Sequence, residues 1–307
     1  MNKTSNYKLT LVIPIYNEED NMAALEKVLC DYLPNALVPT CVLFVNDGSR
    51  DNSLKCMEDI CKKHEAMYYI SLEKNGGLSA AMKAGIDSAY SPYVGYMDAD
   101  MQTTPEDLNL LLKDIEDYEL VMGIRANRKD TFFKKIQSRI ANGFRRMMTN
   151  DGVQDTGCPL KIMHTEYAKR IPFFTGMHRF LPAFILLQNG KVKQVPVRHF
   201  PRTAGVSKYH LWNRLVSPFM DCFAYRWMKK RYINYKVAES NILERLVDGE
   251  SLYSIGNRLF SSRFFLGANS GSVDNVGAGK ACPFTFSILD IQYSWSLSVV
   301  LVRVVAS

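Results

Sequence analysis

Short apolar runs alternate with helical patterns along the first 125 residues, and this alternation limits the fold more than any other feature of the chain. Each run has the length of a β-strand and ends in polar or glycine-rich turn residues. Alternation of this kind predicts an α/β fold with a mostly parallel sheet and helices on both faces. The apolar runs lie at 9–13, 41–45, 67–72, 93–97 and 120–124, and the helical patterns lie near 21–33, 52–64, 78–90 and 105–117.

Two aspartates, Asp98 and Asp100, directly follow the fourth apolar run. Open α/β sheets bind ligands beyond the carboxyl ends of their strands, where these two side chains would lie. Carboxylates at this spacing suit a hard divalent cation, and such a cation can neutralise a departing diphosphate. The alternative is an acidic turn before a helix that Thr103 or Thr104 caps and Pro105 begins. Comparable polar turns after the other strands favour a nucleotide cleft.

Five short motifs occur in one order between residues 8 and 210. They are Ile13-Pro14-Ile15-Tyr16-Asn17-Glu18, Asp47-Gly48-Ser49, Gly76-Gly77-Leu78-Ser79, Asp98-Ala99-Asp100-Met101-Gln102 and Pro105-Glu106. Taken together, they resemble the motifs of family-2 inverting glycosyltransferases, and most of all the dolichol-phosphate mannose synthase and polyprenyl-phosphate glycosyltransferase branch. The resemblance implies the glycosyltransferase A fold, which has a Rossmann-like, mostly parallel sheet with helices on both faces.

The resemblance also implies a nucleotide-sugar site at the ends of the first four strands. Tyr16 would lie against the base, and Asp47 would contact the base or the ribose. The residues themselves leave local alternatives, because Asp47 can bond its own turn and Glu18 can begin a helix whose dipole favours acids. The nucleotide-sugar residues implied in this way are Pro14, Tyr16, Glu18, Asp47, Gly77 and Asp98.

A divalent metal, magnesium or manganese, is the cofactor that the resemblance implies. Asp98, Asp100 and Gln102 would hold it, since Gln102 has the right offset to add a neutral oxygen ligand. Asp100 would bind the metal most tightly, and we predict that it is a catalytic residue.

A basic region follows the fifth strand and suits a second, anionic substrate such as a lipid phosphate. By resemblance, Arg125 contacts the acceptor phosphate and takes part in catalysis. Lys134 and Ser138 repeat a basic-x-x-x-Ser spacing of the branch. The basic residue is more typically arginine, whose guanidinium is planar, whereas the lysine here carries a point charge. Arg202 and Lys208 would clamp phosphate oxygens. The alternative is a solvated face of a helix predicted over 132–148, whose cations are Lys134, Lys135, Arg139, Arg145 and Arg146.

Asp155 lies in the segment 153–158, which matches a further motif of the branch. By resemblance it faces the reacting sugar, either as a base on the acceptor side or as a group that binds a hydroxyl. A phosphate acceptor is already anionic at neutral pH, so we favour a positioning role for this catalytic residue. An aspartate in a turn before glycine is the alternative.

Composition limits the partners and the location. The formal charge of +7 permits nucleic acid, anionic lipid or small anions, but no nucleic-acid motif is recognised, so we expect no nucleic-acid partner. The seven cysteines are scattered, and the amino terminus is polar, which together predict a cytoplasmic protein. The most apolar segment, 291–302, is shorter than the roughly 20 residues that span a bilayer.

We expect three parts along the chain: a catalytic domain at 1–210, an amphipathic basic helical segment at 211–239 and an extension of unknown role at 240–307. Aromatic residues and basic residues in a helix predicted over 209–232 suit a membrane interface, a face packed on the catalytic core or a dimer seam. The extension changes composition abruptly and fits an accessory segment, an oligomerisation piece or an artefactual addition.

The predicted function is a metal-dependent, inverting transfer of a sugar from a UDP- or GDP-sugar to a polyprenyl or dolichyl phosphate. The protein would act at the cytoplasmic face of the membrane as a peripheral enzyme, and a homo-oligomer is left open. One alternative is a family-2 glycosyltransferase that acts on a glycan hydroxyl in cell-surface polysaccharide synthesis. The other alternative is a non-catalytic scaffold that docks on membranes.

Overall fold

The structure is a computed structural model that describes residues 6–125, 143–200 and 211–235, together with two strands near the carboxyl terminus. The chain divides into two compact units, Met1–Tyr235 and Lys236–Ser307. The strands of the first unit are β1 (Leu9–Ile15), β2 (Thr40–Asn46), β3 (Met67–Ser71), β4 (Tyr93–Tyr96), β5 (Leu120–Arg125), β6 (Lys161–His164) and β7 (Val192–Val197). Its helices are α1 (Glu19–Tyr32), α2 (Ser53–Lys63), α3 (Leu78–Ser88), α4 (Leu108–Leu112), α5 (143–149), α6 (Thr165–Lys169), α7 (Leu181–Leu187) and α8 (Leu211–Arg231).

The seven strands of this unit form one sheet in the order β3-β2-β1-β4-β6-β5-β7. Neighbouring strands run parallel except at β6, which is antiparallel to both β4 and β5. The predicted α/β fold with a mostly parallel sheet is therefore confirmed. Because six strands share one direction, their carboxyl ends lie at one edge, where the predicted site residues follow them.

Hydrophobic cores lie on both faces of the sheet, as the apolar runs predict. In β1, Leu11 and Ile13 pack into one core with residues of α1, including Leu25. The intervening Val12 packs into the other core, with Met82 of α3. This alternation follows from the two-residue period of a strand, and burial on both faces explains why the run is almost continuously apolar.

Helix α8 spans Leu211–Arg231, close to the range predicted from the sequence. Cys222 and Tyr225 are buried in the second core, and the Tyr225 ring packs against Phe180 and Phe184. The predicted helix over 132–148 falls mostly outside the described residues, and its last part coincides with α5. One face of α8 therefore packs on the catalytic unit.

The second unit is described only at β8 (Phe284–Leu289) and β9 (Leu301–Ala306), which pair in antiparallel fashion. Within the described part of the chain, no helix combines the length and the apolar character needed to cross a membrane.

Candidate active site

The turns after β1 and β2 are joined by hydrogen bonds at the carboxyl edge of the sheet. The Asn17 backbone N–H donates to Ser49 Oγ at 3.1 Å, and the Arg50 N–H donates to Asn17 Oδ1 at 2.8 Å. Asn17 has a positive φ of 51°, a conformation that asparagine tolerates better than most residues. These bonds hold the two motif turns together as one wall of a cleft.

Asp47 is 3% exposed, and its carboxylate binds the glycine loop that precedes α3. Oδ1 accepts the Gly76 N–H at 2.7 Å, while Oδ2 accepts the Gly77 N–H and the Asn75 Nδ2, both at 2.9 Å. Burial raises the pKa of Asp47, although the two backbone N–H groups act in the opposite direction. Asp47 therefore holds the glycine loop in place through the two backbone N–H groups that face its carboxylate.

Gly48 permits the close approach of this loop to the turn after β2. Its φ is +65°, and a Cβ at this position would lie 2.5 Å from the Asn75 backbone nitrogen. Any side chain here would both strain the backbone and displace the loop. The Asp-Gly-Ser motif therefore needs glycine at this position because a larger residue would clash with Asn75, which lies 27 residues further along the chain.

Pro14, Tyr16 and Glu18 all lie at the end of β1 and are partly exposed. The Glu18 carboxylate accepts a hydrogen bond from Asn21 Nδ2 at 2.6 Å, and the Glu18 N–H donates to Ser53 Oγ at 2.9 Å. Glu18 thus precedes α1 and engages its first turn, which favours the helix-start alternative for this side chain.

The acidic motif after β4 brings Asp98, Asp100 and Gln102 to the same edge of the sheet. The Tyr96 hydroxyl donates a hydrogen bond to Asp98 Oδ1, and the Gln102 N–H donates to Asp100 Oδ1 at 3.2 Å. Met101 has a φ of 58°, so the chain turns sharply between Asp100 and Gln102. Asp100 is only 8% exposed. Two carboxylates and an amide form a set of oxygen donors that suits Mg²⁺ or Mn²⁺.

The segment after β7 is attached to this motif. The Phe200 N–H donates to the Gln102 carbonyl at 2.9 Å. Arg198 binds the buried Asp107 through its backbone N–H at 2.7 Å and through Nε at 2.8 Å. The position at which the chain leads on to the predicted phosphate-binding residues Arg202 and Lys208 is therefore fixed beside Gln102.

Arg125 and Asp155 form a bidentate ion pair at the end of β5. Arg125 Nε lies 2.8 Å from Asp155 Oδ2, and Nη2 lies 2.9 Å from Oδ1. Burial alone would raise the pKa of Asp155, but the hydrogen bonds and charge of Arg125 outweigh it and lower the pKa. A Cβ on Gly157 would lie 2.8 Å from Arg125 Nη2, so a side chain there would displace the guanidinium from this position. A carboxylate held in this way is a poor general base at neutral pH.

The remaining acceptor residues, Lys134, Ser138, Arg202 and Lys208, lie outside the described residues. One cation of the predicted basic helix has a different role from the one expected. Arg145 is buried, forms an ion pair with Asp151 and donates to the Val153 carbonyl at 2.8 Å. It supports the segment that leads to Asp155 and is not part of a solvated basic face.

Three features beside the site were not predicted from the sequence: Tyr96, Lys161 and the contact between Ser79 and His178. Tyr96 binds Asp98, and Lys161 is a buried lysine at the start of β6. Ser79 Oγ lies 3.0 Å from His178 Nδ1 and accepts the Gly176 N–H at 3.1 Å. Burial, with Arg179 and Lys161 nearby, lowers the pKa of His178 to about 3, so its ring is neutral at physiological pH. A lysine between the apolar residues Leu160 and Ile162 was the one signal that could have identified Lys161.

Comparison with known proteins places the chain in a family. A profile of Glycosyl transferase family 2 matches residues 10–172. Dodecaprenyl-phosphate galacturonate synthase of Rhizobium johnstonii is 33% identical over 208 residues, which cover 66% of this chain and 62% of that protein. Undecaprenyl-phosphate 4-deoxy-4-formamido-L-arabinose transferase of Serratia proteamaculans is 30% identical over 206 residues, covering 66% and 63%. The matched part therefore spans less than two thirds of each relative.

Solved structures show the same architecture at lower identity. Glucosyl-3-phosphoglycerate synthase of Mycobacterium tuberculosis, in complex with Mn²⁺, uridine diphosphate and glucosyl-3-phosphoglycerate, superposes with a TM-score of 0.57 at 13% identity and covers 74% of this chain and 81% of that one. The predicted glycosyltransferase A fold is confirmed by this likeness and by the sheet. The family profile, which covers more than half of the chain, settles the assignment: this protein is a member of glycosyl transferase family 2.

Proposed function

We propose that this protein transfers a sugar from a nucleoside diphosphate sugar to a polyprenyl phosphate, with inversion at the anomeric carbon. The observation that carries the proposal is the bidentate pairing of Asp155 with Arg125. A hydroxyl acceptor needs a base, and the lowered pKa of Asp155 makes it a poor one. A phosphate acceptor needs none, and the two relatives named above act with polyprenyl phosphates.

Donor binding would use the edge formed by the turns after β1, β2 and β4 and by the glycine loop. Pro14, Tyr16 and Asp47 are proposed to form the nucleotide pocket, with Asp47 acting through the loop that it holds. Glu18 and Gly77 would shape the walls of the same pocket. The sugar and diphosphate would then lie against Asp98 and Asp100.

A divalent metal fits the oxygen donors of Asp98, Asp100 and Gln102. Within the described residues, no cluster of three or more His, Cys, Asp or Glu side chains forms a metal cage. Two carboxylates completed by substrate phosphates are the usual environment of Mg²⁺, and Mn²⁺ accepts similar ligands. When bound, the ion would supply positive charge that stabilises the departing nucleoside diphosphate.

The acceptor phosphate is proposed to approach from the side of Arg125. Asp155 orients the guanidinium, and Lys134, Ser138, Arg202 and Lys208 are proposed as further phosphate contacts. An acceptor oxygen attacks the anomeric carbon, and the bond from that carbon to the diphosphate breaks. The chain's residues thus contribute position and charge, and no protein group has to remove a proton.

A radiolabelled transfer assay tests this proposal. Purified protein would be incubated with a panel of labelled UDP- and GDP-sugars, a short polyprenyl phosphate, and Mg²⁺ or Mn²⁺. We expect label to enter the organic phase from one donor only, which would also identify the sugar. Label on a glycan acceptor, with none in the organic phase, would favour the hydroxyl-acceptor alternative and contradict the proposal.

We also propose that α8 places the enzyme on an anionic membrane at the cytoplasmic face. Four large apolar side chains of α8 are exposed, Phe219, Met220, Phe223 and Trp227, and so is Met147 of α5; exposed fractions run from 45% to 68%. The Phe144 ring of α5 stacks on Phe219 at a centroid distance of 4.6 Å. Four exposed cations follow on α8, which suits a lipid interface; they are Arg226, Lys229, Lys230 and Arg231.

Vesicle sedimentation tests the membrane proposal. Phe223→Ser/Trp227→Ser should weaken binding to phosphatidylglycerol vesicles by at least about tenfold, since each exposed aromatic would bury apolar area in the lipid. The matched control is Leu37→Ser/Leu110→Ser, which removes two exposed apolar side chains elsewhere and should bind as the wild type does. A dimer in the wild type that is lost only in the first variant would instead identify this face as an oligomer seam.

A further inference from the structure

Lys161 is a buried lysine that lies between the donor side and the acceptor side of the site. It is 3% exposed and begins β6, the one antiparallel strand of the sheet. The register places it opposite Tyr96 of β4 on one side and Met122 of β5 on the other. Opposite residues project to the same face of a sheet. Lysine is almost never fully buried without a specific partner, so this position calls for an explanation.

On the donor side, Lys161 contacts the residue that binds Asp98. Its Nζ lies 5.4 Å from the centroid of the Tyr96 ring, within the range of a cation–π contact. The Tyr96 hydroxyl in turn donates a hydrogen bond to Asp98 Oδ1. The ring is therefore held between a buried cation and a carboxylate of the acidic motif.

On the acceptor side, Lys161 holds the turn that carries Asp155. Its Nζ donates a hydrogen bond to the carbonyl oxygen of Cys158, a fully buried residue. In the same turn, the Gly157 N–H donates to Asp155 Oδ1 at 3.0 Å. Burial lowers the pKa of Lys161, and Arg125 acts in the same direction, whereas Cys158, Asp98 and Asp155 oppose this shift.

We propose that Lys161 is a positioning residue that sets the Tyr96–Asp98 pair and the Asp155 turn at a fixed separation. The inference rests on the proposed function in one respect, because it takes Asp98 to be a ligand of the divalent metal. Hydrogen bonds that orient a metal ligand typically change affinity by about 10- to 100-fold. Lys161 would therefore act on the metal through Tyr96 and on the acceptor through Cys158.

Measurement of Mn²⁺ binding tests the donor half of this inference. The free ion is quantified by its electron paramagnetic resonance signal, with UDP or GDP present. Tyr96→Phe and Lys161→Met should each weaken Mn²⁺ binding by about tenfold. The two changes should not add, because Lys161 acts on Asp98 through the Tyr96 hydroxyl. Tyr96→Phe removes a single oxygen and guards against a Lys161 variant that fails to fold.

Two control variants carry the same chemical changes away from the site. Tyr93→Phe removes a hydroxyl from the opposite end of β4, and Lys169→Met removes an ammonium that lies 5.3 Å from the Tyr90 ring centroid. Both should bind Mn²⁺ as the wild type does. If the wild type binds Mn²⁺ and the folded Lys161→Met and Tyr96→Phe variants bind it with the same affinity, the inference about Lys161 is overturned while the proposed metal site stands. A wild type that binds no Mn²⁺ with nucleotide would overturn the proposed metal site and this inference with it.

Acceptor kinetics test the other half. Lys161→Met should raise the KM for polyprenyl phosphate by severalfold, whereas Tyr96→Phe should leave it close to the wild-type value, because only Lys161 contacts Cys158. Equal acceptor KM values in the two variants would contradict a link between Lys161 and the Asp155 turn.

Discussion

The carboxylates on the donor side and the carboxylate on the acceptor side have different partners. Among the described residues, Asp47, Asp98 and Asp100 accept hydrogen bonds from backbone N–H groups, an amide and a hydroxyl. Asp155 is bound by the guanidinium of Arg125. A carboxylate pairs with a guanidinium through two parallel charge-assisted bonds, which fix the plane of the arginine. The donor side therefore carries carboxylates that a cation can bind, and the acceptor side carries an arginine that Asp155 orients.

This difference separates two functions that the sequence motifs alone do not distinguish, since each motif is an aspartate in a turn. On the donor side, the carboxylates of Asp98 and Asp100 can bind a metal and, through it, a diphosphate. On the acceptor side, the ordered guanidinium of Arg125 can meet a phosphate directly. Single substitutions on each side test this contrast.

Asp100→Asn should abolish transfer almost completely. The change removes a negative charge from the proposed metal site while it keeps the shape of the side chain. Stabilisation of the leaving group by a metal contributes several kcal/mol, which corresponds to a loss of about 1,000-fold or more. The measurement is kcat/KM with saturating Mg²⁺ or Mn²⁺. Asp59→Asn, an exposed change on α2, is the control, and an active Asp100→Asn enzyme would contradict the donor half of the comparison.

Asp155→Asn should reduce turnover by about tenfold, much less than the roughly 10²- to 10⁴-fold contribution of a true general base. Asparagine keeps one oxygen for Arg125, so the guanidinium loses part of its orientation. The measurement is kcat for label transfer to polyprenyl phosphate. Asp87→Asn, which weakens the exposed ion pair with Lys83 on α3, is the control and should leave kcat unchanged. A loss near 10,000-fold in folded Asp155→Asn would identify Asp155 as a base.

The same variant has a characteristic pH dependence of stability. The pKa of Asp155 is lower in the folded chain than its ordinary value, so the charged form stabilises the fold. This contribution is complete above the unfolded pKa of about 3.9 and is lost as the pH falls through the folded value. The difference in Tm between wild type and Asp155→Asn should therefore stay constant from pH 5 to 8 and shrink below pH 4.

Asp47→Asn should have the smallest effect on turnover and act mainly on donor binding. The amide nitrogen would face either the Gly76 N–H or the Gly77 N–H, which bind different oxygens of Asp47, at a cost of about 1–3 kcal/mol for the unsatisfied group. We expect a lower Tm and a KM for the nucleotide sugar raised by about tenfold, with kcat nearly unchanged. A KM effect without any loss of Tm would show that Asp47 contacts the nucleotide directly and does not act through the loop.

Much of the donor site could be predicted from the sequence because its signals are local. Each apolar run is followed within a few residues by its motif turn, and parallel strands bring such turns to one edge. The position of Asp98 and Asp100 follows from that rule. The loop-holding role of Asp47 does not, because its partners Gly76 and Gly77 lie about 30 residues further along the chain.

The α/β class, the carboxyl edge that carries the site and the family resemblance could all be predicted from the sequence, since these depend on periodicity and on short motifs. The contacts between distant residues could be read only from the folded chain: Arg125 with Asp155, Arg198 with Asp107, and Lys161 with Tyr96. The last of these depends on the insertion of antiparallel β6 between β4 and β5 and on its register. Register is a cooperative result of packing on both faces of the sheet, which no local pattern specifies.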